Sequence, residues 1–227
     1  MQDLTEGSRL ADRYTLRRLL GRGGMAELWA ADDSRAGAVV ALKFLDPGLA
    51  ADEGHRRRFH DEWRRASRLM HPHIVRVFEY HDDESRPCYA LQYLDGPPFQ
   101  ELAGKGLDAI LRPAGLLADA LRYAHGKDIV HGDLTARNVL LDGRGAPYLA
   151  DFGVARRAGE RGGGGTPAAA SPEQRAGEPA HPADDVYAFG VLLHEMLFNA
   201  PPGDGGLPQR TAGGEPLPGA VARLLEC

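Results

Sequence analysis

Lysine is nearly missing from this chain: it occurs at positions 43, 105 and 127 only, and every other one of the 27 basic residues is arginine. Cysteine occurs twice, at 88 and 227, too few for a disulfide framework, so the cytosol is the expected compartment. No apolar run approaches the roughly 20 residues that cross a bilayer. Met1–Leu10 carries neither the basic start nor the apolar stretch of a secretory signal, so no membrane segment is expected in this chain, with an anchor beyond residue 227 left open. A basic excess is also lacking. With 27 basic against 32 acidic residues the net charge is −5, which argues against a nucleic-acid partner. His55, His60, His71, His73 and His81 are scattered without metal-ligand spacing, which argues against a zinc site.

What is present is 227 residues, 43% hydrophobic, enough for one large domain or two small lobes around a core. The 29 glycines and 16 prolines make it rich in loops, short of a disordered composition. The abundance of Arg, Ala and Gly points to a GC-rich, bacterial genome. Residues 1–13 read as a polar lead-in. Strands are expected over Tyr14–Leu20, Glu27–Ala31 and Ala38–Leu45, then a helix over 53–70 with Phe59, Glu62, Ala66 and Leu69 on one face. Two strands follow, Val75–His81 and Cys88–Tyr93. Helices are expected at Leu107–Arg112 and Gly115–His125, and later at Asp184–Phe198 and Gly219–Glu226. The boundary between a β-rich part (14–94) and a helical part (95–227, shortened after about 200) falls near 94–97. The glycine run 162–165 reads as a flexible loop.

Three stretches carry chemistry. Gly21-Arg22-Gly23-Gly24-Met25-Ala26-Glu27-Leu28 lies between two strands, where glycines let a hairpin approach phosphates through its backbone N–H groups. Alone it is an ordinary glycine-rich hairpin, and a Rossmann reading fails because no helix follows. Lys43, within Ala41-Leu42-Lys43, must snorkel or find an anion, and Glu62 on the apolar side of the next helix needs a cation. Together they solve each other's burial problem. His131-Gly132-Asp133-Leu134-Thr135-Ala136-Arg137-Asn138 sets a carboxylate five residues before a carboxamide, and Asp151-Phe152-Gly153 follows. Asn138 and Asp151 at the ends of short strands suit a hard cation such as Mg²⁺, which leaves Asp133 to accept a hydroxyl proton.

In this order the motifs resemble those of Hanks-type protein kinases, on the bacterial serine/threonine branch, from about Tyr14 to Ala200. The resemblance also covers His71-Pro72-His73-Ile74-Val75, Ser171-Pro172-Glu173-Gln174 and Asp185-Val186-Tyr187-Ala188-Phe189-Gly190. It implies an α+β, two-lobed kinase fold and transfer of the ATP γ-phosphoryl group to Ser or Thr of a protein substrate. Mg²⁺ or Mn²⁺ would be held by Asn138 and Asp151. Asp133 would be the catalytic base, and Lys43, paired with Glu62, would grip the α- and β-phosphates under the Gly21, Gly23 and Gly24 loop. Leu20, Leu28 and Ala41 would lie on one side of the adenine and Leu140 on the other. Leu91 would be the gatekeeper, followed by Gln92, Tyr93 and Leu94 as the hinge. Asp185 would brace the catalytic loop through backbone N–H groups.

The chain departs from that family at several points. Gly132 stands where an Arg is usual, and residues 154–165 contain no Ser, Thr or Tyr. Both halves of a phosphate-docking switch are missing, so activity is expected without activation-loop phosphorylation. Thr135 replaces the usual Lys, and Arg137 is the candidate to neutralise γ-phosphate charge. His-Gly-Asp also occurs in enzymes resembling aminoglycoside and choline kinases, so a small-molecule phosphotransferase stays open, as does a pseudokinase scaffold. Ser171-Pro172-Glu173 and Thr166 favour a protein substrate. The arginine that in this family pairs with the glutamate matching Glu173 has no candidate here at its usual late position. The family resemblance allows a homodimer, and no residue pattern here points to one.

Overall fold

The computed structural model describes residues 4–83, 86–161, 165–203 and 208–225. Two compact units divide the chain: the first runs to Met70 and resumes at Val75–Tyr93, and the second takes His71–Ile74 and everything from Leu94.

Period-two alternation builds the first unit. Its strands are β1 (Arg9–Leu10), β2 (Tyr14–Arg22), β3 (Ala26–Asp33), β4 (Ala38–Leu45), β5 (Val77–His81) and β6 (Cys88–Gln92), with α1 (Glu53–Ala66) between β4 and β5. They form an antiparallel sheet in the order β1-β2-β3-β4-β6-β5. The pair Arg9–Leu10 lies within the stretch read as a lead-in; it adds to the sheet because Leu10 pairs with Tyr14. Tyr14, Leu16, Trp29, Val40, Leu42 and Phe44 pack together as one core cluster, while Leu45, Phe59 and Tyr89 form a second. Alternation along β4 therefore puts Lys43, with Ala41 and Leu45, on the face opposite Leu42 and Phe44.

Asp52 caps α1, accepting from the His55 N–H at 2.8 Å. The helix ends at Ala66, short of the expected 70, because the chain tightens into i→i−3 bonds from Arg68 to Arg65 and from Leu69 to Ala66. Leu69 reaches the core from that turn, as buried as Phe59.

The second unit contains α2 (Leu107–His125), β7 (Ile129–Val130), β8 (Val139–Leu141), β9 (Pro147–Leu149), β10 (Arg156–Arg157), α3 (Pro172–Arg175), α4 (Pro182–Phe198) and α5 (Gly219–Leu225). The two helices expected on either side of Pro113 are one. Buried Ile110, Ala114, Leu117, Leu121 and Ala124 make one continuous stripe, and its burial carries the helix through the missing proline N–H. Strand β8 pairs with β9, and β10 with β7, both antiparallel. Helix α4 buries Ala188, Val191, Leu192, Leu193, Met196 and Leu197. Among the described residues no helix is long and apolar enough to cross a membrane. Most of the 162–165 glycine run, the end of the last expected helix at Glu226, and Cys227 lie outside the described residues.

Candidate active site

In the first unit, β2 and β3 close around Gly23-Gly24-Met25, with the Gly23 N–H donating to the Ala26 carbonyl at 2.9 Å. The base of this hairpin is fixed by Glu27, whose carboxylate meets Arg22, Arg86 and the Trp29 indole N–H. None of Gly21, Gly23 and Gly24 has a positive φ, and a Cβ on Gly21 or Gly24 would meet no atom within 4 Å. The hairpin's own packing therefore does not require glycine there, and the space a Cβ would fill at Gly21 and Gly24 is open, as close approach of a phosphate to the backbone needs.

Lys43 Nζ lies 2.6 Å from Glu62 Oε1. The same oxygen accepts from the Tyr89 hydroxyl at 2.5 Å, and Tyr89 sits directly across from Lys43 in the β4–β6 register. Glu62 is 6% exposed, so the two donors hold a carboxylate that would otherwise be a costly buried charge. Leu91 lies opposite Ala41. The Gln92 N–H donates to the Arg76 carbonyl at 2.8 Å, and the Tyr93 hydroxyl accepts from Arg18 at 3.0 Å. Leu20 and Leu28 are half-buried on β2 and β3.

In the second unit, Asp185 of α4 is 1% exposed and accepts from the backbone N–H groups of His131 and Gly132, each at 2.8 Å, and from His125 Nε2 at 2.7 Å. This is the brace expected of it. His131 is fully buried; its Nε2–H donates to the Ala150 carbonyl at 3.0 Å, and its Nδ1 accepts from the Asp133 N–H at 3.3 Å. That pair of partners sets a neutral tautomer protonated at Nε2, which suits a structural imidazole. The Phe152 ring packs on it with centroids 4.6 Å apart. Gly132 has φ +77°, a conformation in which glycine carries no strain.

The Asp133 carboxylate is aimed from two sides. Its Oδ1 accepts from the Thr166 N–H at 2.7 Å, and its Oδ2 from Asn138 Nδ2 at 3.2 Å. The same Asn138 nitrogen donates to the Asp133 carbonyl at 2.8 Å. Asn138 thus spends its amide nitrogen on the loop and keeps its carbonyl oxygen for another partner. Asp151 is exposed and left-handed, at φ 58° and ψ 70°. A carboxylate and a carboxamide oxygen are hard donors of the kind that Mg²⁺ takes when phosphates and waters supply the rest. Among the described residues no group of three His, Cys, Asp or Glu gathers as a metal site. Leu140 lies half-buried on β8, opposite Tyr148. Arg137 is exposed in the turn of Ala136–Asn138, and Glu173 is exposed and makes no ion pair among the described residues.

Sequence reading missed Tyr89, because an aromatic residue in an apolar strand reads as core until its register is known. It also missed the use of Gln174, whose Nε2 donates to the Gly132 carbonyl at 3.1 Å.

Residues 14–211 match the family model for the protein kinase domain. The chain is 38% identical over 225 residues to a probable serine/threonine-protein kinase of Streptomyces coelicolor, SCO3848, covering 92% of this chain and 33% of that protein. It is 38% identical over 213 residues to the DNA damage-responsive serine/threonine-protein kinase RqkA of Deinococcus radiodurans, covering 88% of this chain and 32% of that one. To the serine/threonine-protein kinase PknB of Mycobacterium tuberculosis it is 34% identical over 225 residues, covering 92% and 36%. The chain therefore spans about a third of the length of these curated relatives. With a family match over most of its length and its motifs in that family's order, the chain belongs to the protein kinase domain family, on the bacterial, Hanks-type serine/threonine branch.

Proposed function

We propose that this chain transfers the γ-phosphoryl group of ATP to serine or threonine of protein substrates. The observation that carries the reading is the Asp133 carboxylate, aimed by the Thr166 N–H and by Asn138 on a loop that Asp185 locks. Asp133 accepts the hydroxyl proton as the nucleophile attacks. Lys43, oriented by Glu62, grips the α- and β-phosphates beneath the open glycine hairpin. Leu20, Leu28, Ala41 and Leu140 contact the adenine, with Leu91 as gatekeeper and Gln92, Tyr93 and Leu94 as hinge. Asn138 and Asp151 would hold Mg²⁺ or Mn²⁺, which supplies charge neutralisation at the phosphates when bound. Arg137, exposed and one residue from Asn138, neutralises the charge developing on the γ-phosphate in place of the lysine that Thr135 replaces.

We also infer that activity needs no activation-loop phosphorylation. Support comes from backbone ties that order the described part of that segment. β10 pairs with β7, the Ala158 N–H donates to the Asp128 carbonyl, and Gly159 and Glu160 bond to Ala180. The test is labelling by Mg²⁺-ATP with the chain itself and a generic basic protein as acceptors. Wild type should label Ser or Thr from the first turnover, and Asp133→Asn should lose about 10²–10⁴ in rate. Equal labelling by both proteins, or transfer only to small molecules, sinks the reading.

A further inference from the structure

Gln174 stands between two backbone groups of fixed polarity. Its Oε1 accepts from the Ser171 N–H at 2.9 Å, and its Nε2 donates to the Gly132 carbonyl at 3.1 Å. A donor on one side and an acceptor on the other allow only one orientation of the carboxamide. Gln174 cannot swing away without cost, because it is also the third helical residue of α3. Its own N–H donates to Ser171 Oγ at 3.0 Å, which completes a reciprocal capping box. Ser171 is in turn anchored, its hydroxyl donating at 2.7 Å to Asp184 of α4.

The other end of the contact is the residue before the base. Gly132 is held at its N–H by Asp185 and at its carbonyl by Gln174, so both hydrogen-bonding groups of this left-handed residue are fixed. The chain at Gly165 runs against the same carbonyl: a Cβ on Gly165, at φ +119°, would lie 2.8 Å from it. The next residue, Thr166, donates to Asp133. One side chain on α3 therefore holds the carbonyl against which the segment that aims the base is packed.

We propose that Gln174 is a positioning residue. Its carboxamide fixes the Gly132 peptide, and through it the Asp133 carboxylate, by a neutral and permanent hydrogen bond. In this chain that bond occupies the role left open by the missing arginine at 132 and the missing phosphoacceptors of 154–165. The inference rests on the kinase reading for its catalytic meaning and on the geometry alone for the brace.

Glutamate at 174 separates the two functions of the side chain. Gln174→Glu keeps an acceptor for the Ser171 N–H, so the capping box survives, but it turns a carboxylate toward the Gly132 oxygen. Gln174→Met removes both contacts. Amide hydrogen exchange of the whole chain reads the brace without reference to activity. In Gln174→Glu the amides of residues 131–134 and of Thr166 should exchange several-fold faster at neutral pH, while those of 174–176 keep wild-type protection. In transfer assays both variants should lose roughly tenfold or more in kcat, the scale of one hydrogen bond, with the KM for ATP little changed. The ratio of Gln174→Glu to wild-type kcat should climb as pH falls toward about 5, where the protonated carboxyl again donates to Gly132. Gln174→Met should show no such recovery.

Wild-type exchange at 131–134 in both variants overturns the brace. Faster exchange confined to α3, or altered exchange with unaltered kcat, overturns the positioning role. Exchange as expected in a wild type that transfers no phosphate supports the brace and sinks the kinase reading alone.

Discussion

Glu62 shows how one residue gathers its surroundings. A carboxylate at 6% exposure has lost most of its water, and Oε1 recovers that loss from the Lys43 ammonium and the Tyr89 hydroxyl. The two donors differ in what they leave behind when the acceptor changes. Glu62→Gln replaces the charge facing the Lys43 ammonium by a neutral carboxamide oxygen, and with that side chain 18% exposed its cost should fall below the roughly 3–5 kcal/mol of a broken, fully buried pair. Tyr89→Phe removes one hydrogen bond to a charge and leaves the ion pair whole, costing about 1.5–3 kcal/mol or less. Urea denaturation should rank Glu62→Gln as the more damaging change. Steady-state assays should show it raising the KM for ATP far more than Tyr89→Phe does. The opposite order would mean that Tyr89, not Lys43, is the partner that keeps Glu62 in place. Only the lysine and the glutamate could be read from the sequence. Each announced an electrostatic problem by its position, whereas Tyr89 acts through a strand register that no local pattern encodes.

At the scale of elements, legibility follows the range of the interactions that decide each one. β2, β3 and β4 were readable because alternation is local, and α1 was readable because Phe59, Glu62 and Ala66 mark one face. Helix α2 was misread as two because Pro113 is a strong local signal, while the burial that overrides it is a property of the packed unit. This makes a direct prediction. Proline in a helix interior is about 3 kcal/mol less favourable than alanine, and here it leaves the Ala109 carbonyl without its intrahelical donor. Pro113→Ala should restore that bond and raise stability by about 1–3 kcal/mol, the lower figure applying if the half-buried ring contributes packing. A higher urea midpoint at unchanged slope is the expected result. A lower midpoint would show that the ring's contacts outweigh the helix bond. The start of α4 was placed two residues late for a related reason. His181 caps it through Nδ1, accepting from the Ala183 N–H, while Asp184 accepts from the His181 N–H. Histidine is an uncommon cap that composition does not flag.

For the molecule as a whole, acidity and the division into two units combine into a pH dependence that one signal can follow. Both tryptophans, Trp29 and Trp63, lie in the first unit, so indole fluorescence reports that unit's unfolding. The same unit holds a linked cluster: Arg13 pairs with Asp33 and Glu79, and the Tyr14 hydroxyl donates to Glu79. The His81 ring meets Tyr14 edge-on at 5.4 Å, and its buried Nε2 has no hydrogen-bond partner among the described residues. The Arg13 hydrogen bond holds Asp33 well below the usual carboxylate range against the opposing effect of burial. Burial pushes Glu79 up, but Tyr14 and Arg13 outweigh it and leave it lowered. His81 is also lowered, chiefly by burial, with Arg13 adding to the effect and Glu79 working against it. In all three the folded chain binds its proton later than the unfolded one as pH falls. The contribution of His81 is thus complete above about pH 6.5 and lost as pH falls below it, whereas those of Asp33 and Glu79 persist until about pH 4. Between about pH 7 and 5 the histidine alone of these three sets the slope. His81→Phe places an apolar edge where an imidazole would have to be desolvated and charged. Its urea midpoint, followed by tryptophan fluorescence, should hold steady from pH 7 to 5 while that of wild type falls, and the two should drop together below pH 4. Parallel curves over the upper interval would mean that the proton reaches His81 in the folded unit as readily as in the unfolded chain, and that its Nε2 is less enclosed than the packing of Tyr14 requires.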